Sequence, residues 1–186
     1  MAISAQLVKE LREMTGAGMM DAKKALTETN SDFEAAVKYL REKGLADSKK
    51  REDKEANQGT IGDYIHYQQD RAVSGVLVEL ACETDFVAKS EEFKESAKQI
   101  AMHIAAMKPN YLNIEDIPEA KLNEEKDIIV KQSENEGKPP EVIEKIVEGR
   151  IISFYKDSVL NEQIFCNPEI YDGKVSTMIE EMSGKL

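Results

Sequence analysis

The chain has 186 residues, and its 36 acidic and 25 basic side chains give a formal net charge of −11 at pH 7. This length can bury a real core, whereas the negative charge would repel a phosphate backbone. The two cysteines, two histidines and absence of a long apolar run argue against a disulfide framework, a Cys/His metal cluster and a membrane span. We therefore expect a cytoplasmic protein with no metal, no membrane and no direct nucleic-acid partner.

Three short helices are predicted at the start of the chain. The first covers Ser4 to Glu13, with its apolar side chains at helical spacing. The segment Thr15 to Gly18 breaks it, because glycine disfavours helix, and a second helix covers about Met20 to Thr27. A third begins at Ser31 to Glu34, which is spaced as a capping box, and ends at Gly44. We call this three-helix bundle, predicted over residues 1–45, the head.

A charged linker and then a β-hairpin are predicted next. Residues 46–58 include the run DSKKREDKE, which has no apolar side chain to bury and is typical of a solvated linker. From Gly59 to Tyr67 and from Ala72 to Leu80, β-branched and aromatic residues recur with period two, and QQDR separates the two runs. This pattern predicts an antiparallel hairpin.

Helices dominate the remainder. Ser90 is placed to cap a helix that stops before Pro109. Later helices are predicted at Glu119 to Glu136, Pro140 to Lys156 and Val175 to Met182. The fold class is therefore α+β, with a helical head, a linker and a core over residues 59–186 in which a small antiparallel sheet packs with helices.

No arrangement of residues indicates catalysis or a cofactor. The sequence contains no P-loop motif, and Gly16-Ala17-Gly18 lacks the preceding strand and the third glycine of a dinucleotide fingerprint. His103 lies on an otherwise apolar helix, which favours a hydrogen-bonded structural histidine over the alternative of a catalytic base. We expect no enzyme activity.

The segment after the second strand is unusual because it places an aromatic residue where a loop should be polar. Thr84 and Asp85 can tie down a tight turn through side-chain to backbone hydrogen bonds. Phe86, followed by Val87, then either folds back onto the core of its own chain or points outward as an anchor for a partner. The residues alone leave both interpretations open.

Four stretches of the chain resemble the elongation factor Ts family, in order and across nearly the whole sequence. They are LVKELREMTGAGMMDAKKALTE (Leu7 to Glu28), CETDFVAKSEEF (Cys82 to Phe93), AMHIAA (Ala101 to Ala106) and EGKPPEVIEKIVEGR (Glu136 to Arg150). The resemblance implies a nucleotide-exchange factor for elongation factor Tu with no catalytic chemistry of its own. The alternative is a scaffold subunit that binds elongation factor Tu without productive exchange.

The resemblance also implies which residues contact elongation factor Tu. The head would be the family's ubiquitin-associated-like domain, which docks on the GTP-binding domain of elongation factor Tu, and the motif Thr84, Asp85, Phe86 and Val87 would be the working tip. Asp85 and Phe86 would wedge beside the nucleotide and disturb its magnesium-coordinating region. The residues assigned to docking in the head are Leu11, Thr15, Gly16, Gly18, Met19 and Met20.

Two further points come from short members of the family. Their resemblance to this chain runs up to about Ser183 to Lys185 and then continues into a final strand that is missing here, so we expect a core without its last strand. Short members form homodimers through that region, which leaves a homodimer open for this chain. The hairpin motif YIHY resembles theirs, so His66 is either a contact near the nucleotide or a structural residue.

Overall fold

The head is a compact bundle of three helices. The structure is a computed structural model that describes residues 3–15, 17–49 and 55–185. The head helices are α1 (Ala5–Thr15), α2 (Met19–Glu28) and α3 (Phe33–Lys49). Each turns apolar side chains inward, as the helical spacing in the first helix predicted for that helix. The buried side chains of the head are Val8, Leu11, Ala22, Ala25, Leu26 and Ala36.

Two predictions about α3 are wrong. Asp32, and not Ser31, caps the helix, since Asp32 Oδ1 accepts a hydrogen bond from the Ala35 N–H at 3.0 Å and Ser31 has a left-handed φ of 66°. The helix also continues past Gly44 to Lys49, since a single glycine costs a helix only about 1 kcal/mol and the packing of α3 on α8 offsets that loss. The linker proposed over residues 46–58 partly lies outside the described residues, so the division into domains stays a prediction.

The predicted hairpin is confirmed. Strand β1 (Gln58–Gln68) pairs with β2 (Arg71–Cys82) in antiparallel register, so that Thr60 faces Leu80. Within the described residues these two strands form the whole sheet. With its helices, the chain has the α+β class expected from the sequence.

The long helix that follows the hairpin lies directly on the sheet. A five-residue helix, α4 (Asp85–Lys89), comes first, and the long helix is α5 (Glu91–Met107). Helix α5 approaches β1 at Gly62, where an added Cβ atom would lie 2.3 Å from the backbone C and O atoms of Ala97. Only glycine leaves room for that contact. The helix seats Phe93, Ala97 and Ile100 against Leu80 of the sheet.

Three further helices complete the core. Helices α6 (Glu119–Asn135) and α7 (Pro140–Ser158) pack against each other, and α8 (Val175–Lys185) packs both on the core and on α3 of the head. Their positions match the predicted ones within three residues. No helix in the described part of the chain combines the length and apolarity needed to cross a bilayer.

Candidate partner-binding site

The segment after β2 folds as a short helix rather than as the predicted tight turn. Helix α4 (Asp85–Lys89) begins at Thr84, whose Oγ1 accepts a hydrogen bond from the Val87 N–H at 3.3 Å. The Thr84 carbonyl accepts a second bond from the Ala88 N–H at 3.1 Å and a third from Cys82 Sγ at 3.2 Å. Thr84 therefore ties the backbone as predicted, but it does so as a helix cap.

Ser90 fixes the other end of α4. Its Oγ donates a hydrogen bond to the Val87 carbonyl at 2.9 Å and accepts one from the Phe93 N–H at 3.3 Å. One hydroxyl thus closes α4 and caps α5. Because both ends are tied, the backbone that carries Phe86 is held in place before any partner arrives.

Phe86 points away from the protein. Its exposed fraction is 83%, the largest among the exposed large apolar side chains of the described residues. Val87, the next residue, packs instead against the core cluster that contains Leu80 and Phe93. The interpretation in which Phe86 folds back onto its own core is therefore wrong.

A charged side chain stands beside Phe86. The Lys89 ammonium donates a hydrogen bond to Asp85 Oδ2 at 2.7 Å, one helical turn away. This bond and the positive charge of Lys89 lower the pKa of the Asp85 carboxyl from its ordinary value. The exposed ring is thus bordered by an ionised carboxylate at neutral pH.

The head presents a second apolar surface. Met19 and Met20 begin α2, and Met20 is 76% exposed. Met14, at the end of α1, is also exposed, and the sequence analysis missed it although it lies within the same family-like stretch. These three flexible side chains, the methionine patch, suit an adaptable protein contact.

The other docking candidates of the head differ in exposure: Leu11 is buried, Thr15 is half-buried and Gly18 is exposed. Leu11 is fully buried in the head core, so it supports the surface from inside. The Thr15 hydroxyl donates a hydrogen bond to the Leu11 carbonyl at 2.6 Å, and Gly18 caps α2 with an extended backbone. Gly16 lies outside the described residues.

His66 is distant from Phe86. It lies near the hairpin turn, whereas α4 follows Cys82, which pairs with Gln58 at the opposite end of the sheet. The eight residues from Gln58 to His66 span roughly 26 Å at about 3.3 Å per residue. His66 is exposed, and its Nδ1 lies 3.3 Å from the Tyr64 hydroxyl. The two side chains would therefore meet different parts of a partner.

His103 is a structural histidine, as the sequence favoured. Its Nδ1 accepts a hydrogen bond from the Cys166 N–H at 3.0 Å, and Nε2 lies 3.0 Å from Gln163 Oε1. Burial lowers the pKa of His103, and the Gln163 bond partly opposes this shift. Both ring nitrogens are occupied in a fully buried site, so the ring has no free atom for acid–base chemistry. The sequence did not predict Gln163 as the partner of His103, because the two residues are 60 positions apart.

No metal-binding group is evident in the part of the chain that the structure describes: it contains no cluster of three His, Cys, Asp or Glu side chains able to hold an ion. The features that stand out are the fixed, exposed Phe86 and the methionine patch. Both are suited to contact with another protein.

Comparison with known proteins extends the resemblance noted in the sequence. The family model described as elongation factor TS matches residues 2–186. An elongation factor Ts from Fervidobacterium nodosum is 48% identical over 186 residues, which cover 100% of this chain and 92% of the relative.

Two other relatives carry the same name. The elongation factor Ts of Thermoanaerobacter sp. is 51% identical over 99% of this chain and 88% of its own length. That of Coprothermobacter proteolyticus is 54% identical over 88% of this chain and 81% of its own length. The chain therefore belongs to the elongation factor Ts family and so to the factors of translation elongation.

Proposed function

We propose that this chain is a guanine-nucleotide exchange factor that binds elongation factor Tu in its GDP-bound form and promotes GDP release in the cytoplasm. The observation that carries the proposal is Phe86, which is held outward by a helix tied at Thr84 and Ser90. Because the backbone beneath the ring is already ordered, little backbone freedom is lost when Phe86 enters a pocket, so the ring can act as a wedge. It needs no cofactor and no chemistry of its own.

The wedge acts by differential binding. A protein that binds nucleotide-free elongation factor Tu more tightly than the GDP complex must weaken GDP binding by the same factor. Burial of the Phe86 ring would supply about 1.5–3 kcal/mol. At about 1.4 kcal/mol per tenfold, this corresponds to roughly 10- to 150-fold. Asp85 would act beside the ring, where its negative charge disturbs the region of the partner that coordinates magnesium.

The head supplies attachment. We assign the direct contact with the GTP-binding domain to Met19 and Met20, because they are exposed, and we add Met14 from the same patch. Leu11 would support this surface from inside, and Thr15 and Gly18 would adjoin it; Gly16 stays a docking candidate from the family resemblance. The hairpin tip with His66 would meet a separate part of elongation factor Tu.

For the homodimer that the family resemblance leaves open, we propose the outer face of the hairpin as the contact, in place of the C-terminal region that short family members use. Ile61, Ile65 and Leu77 are exposed there, and Leu77 is 77% exposed. Three apolar side chains on one sheet face favour a protein contact. A Leu77→Glu variant should be monomeric in light scattering at concentrations where the unaltered chain is a dimer. A monomeric unaltered chain would contradict the homodimer.

The experiment that tests the exchange function is stopped-flow release of a fluorescent GDP from elongation factor Tu. The unaltered chain should accelerate release, and Phe86→Ala should slow the accelerated rate about tenfold or more, as the lost burial requires. Leu112→Ala is the matched control, since it removes another exposed apolar side chain outside the proposed surfaces. Complex formation without acceleration would overturn exchange in favour of the scaffold alternative.

A further inference from the structure

Helix α8 shares an apolar cluster with the helix that carries Phe86. Met182 and Ile179 of α8 pack into the cluster formed by Leu80 and Phe93, and Val87 of α4 packs against the same cluster. Val175 anchors the start of α8 in a neighbouring cluster. The position of α4 is therefore linked to α8 through continuous side-chain packing.

The opposite face of α8 touches the head. Gly184 of α8 lies so close to Gly44 of α3 that a Cβ atom added at Gly184 would be 2.6 Å from the Gly44 carbonyl oxygen and 2.8 Å from its Cα. The reverse is not true, since a Cβ at Gly44 would be 3.8 Å from the Gly184 Cα, an ordinary contact. The two helices therefore need glycine at 184 but not at 44.

An ion pair adjoins this contact. Arg41 Nη2 of the head lies 2.6 Å from Glu181 Oε1 of α8, and the Glu181 side chain is only 19% exposed. The Tyr171 hydroxyl is buried beside them, and burial followed by the charge of Glu181 raises the pKa of Tyr171 to about 12. We call the contact made by Arg41, Gly44, Glu181 and Gly184 the joint.

The joint borders the docking surface of the head. A cavity of about 270 Å³ lies between α8 and the head, and its lining includes Met14, Gly18, Glu181 and Gly184. A single methyl group at Gly184 would disturb the joint, because the backbone of Gly44 lies too close to admit it. The joint also lies next to the methionine patch, of which Met14 is a part.

We infer that α8 is a positioning element that holds the head and α4 in a fixed relation, so that the methionine patch and Phe86 meet one elongation factor Tu molecule together. Gly184, Arg41 and Glu181 are its positioning residues. Two surfaces that are fixed in the correct relation bind more tightly than two joined loosely, because the fixed relation raises the effective concentration of the second contact once the first has formed. This inference rests on the proposed exchange function.

The first test examines the joint in the free chain. Gly184→Ala and Gly44→Ala add the same methyl group to a helix, but only the first collides with backbone atoms. In hydrogen–deuterium exchange, we expect Gly184→Ala to speed exchange in peptides covering 36–49 and 171–185, while peptides from the hairpin and the whole Gly44→Ala variant match the unaltered chain. Equal protection in both variants would overturn the joint.

The second test measures the affinity for GDP-bound elongation factor Tu and the GDP release rate at saturating chain. Gly184→Ala should weaken affinity about tenfold, the loss expected when two contacts are no longer pre-aligned, and should leave the maximal rate within about twofold. Gly44→Ala should change neither quantity. A maximal rate that falls as much as affinity would show that the residue acts on the wedge and would overturn a positioning role.

A charge exchange decides the question if Gly184→Ala does not fold. Glu181→Arg should weaken affinity about threefold, in the range of a partly exposed pair, and Arg41→Glu in the same chain should restore it. Absence of rescue overturns the inference. If the unaltered chain fails to bind elongation factor Tu, the proposed function is refuted instead. The two failures can be told apart, because hydrogen–deuterium exchange at the joint is measured on the free chain without the partner.

Discussion

The first turns of α4 and α5 use the same device with opposite results for their phenylalanines. Each begins at a hydroxyl cap, Thr84 or Ser90, and in each the third helical residue, Val87 or Phe93, gives its N–H to that cap and its side chain to one shared cluster. Phe86 comes one position earlier, which rotates it by about 100° to the outside. The position of each phenylalanine relative to its cap therefore determines whether the ring is buried or exposed, since both residues are of the same type.

The largest expected effect is on the buried member of the pair. Phe93→Ala should lower the free energy of unfolding by about 3–5 kcal/mol, as for other buried phenylalanines, since Phe93 is only 3% exposed. Phe86→Ala should change it by less than about 0.5 kcal/mol. Urea unfolding of both variants measures the difference, and similar losses would mean that Phe86 is packed in solution.

The contact between α5 and the sheet can be disturbed by adding a methyl group at Gly62. Gly62→Ala places a methyl group 2.3 Å from the Ala97 backbone and should cost about 1–3 kcal/mol of stability through overpacking. Gly149→Ala on α7 is the matched control because nothing lies within 4 Å of its added Cβ. That variant should be neutral or up to about 1 kcal/mol more stable. A stable Gly62→Ala chain in thermal unfolding would contradict the close approach of α5.

The two caps both hold α4, but only Ser90 also caps the longer α5. Ser90→Ala should lower stability by about 1 kcal/mol because it removes the cap of α5, and it should also slow GDP release because the same hydroxyl closes α4. Thr84→Ala removes only the cap of the five-residue α4, so its main effect should be slower GDP release as Phe86 loses its fixed direction. Unfolding and release rates measured on both variants check these expectations, and a Thr84→Ala chain with normal release would separate the wedge from its cap.

The smallest effect concerns acid. Burial lowers the pKa of His103 from its ordinary 6.5, so below about pH 6.5 the unfolded chain binds a proton that the folded chain does not. Stability should therefore be full above that pH and fall as the pH drops toward the folded pKa. Unfolding free energies at pH 7.5 and 5.5 measure the decline. The loss of unfolding free energy between these two pH values should be smaller in His103→Asn and unchanged in His66→Gln. An unchanged loss in His103→Asn would show that another group causes it.

Much of this fold could be predicted because its signals are local. Ser90 predicts the start of α5, and alternating apolar residues predict the hairpin. The structure contains both elements at the predicted positions. Helix α4 was predicted as a turn because five residues are too few to show a helical period. The sequence also offered Ser31 as a cap, but the backbone around it turns left-handed, and Asp32 takes that role.

The remaining features depend on contacts between distant parts of the chain. Gly44 is a helix-ending signal by itself, and only the packing of α3 on α8 explains why the helix continues through it. Gln163 becomes the partner of His103 through a fold that no local pattern encodes. For the candidate site, the family resemblance singled out Phe86, whereas its direction followed only from the two caps.

The outward position of Phe86 also affects how the free chain behaves at high concentration. An apolar ring and a methionine patch in water can also adhere to apolar surfaces other than those of the intended partner. The net charge of −11 opposes such adhesion, because like-charged molecules repel one another. This repulsion vanishes near the isoelectric point of about 4.8, where we expect the chain to precipitate while its fold is still largely intact.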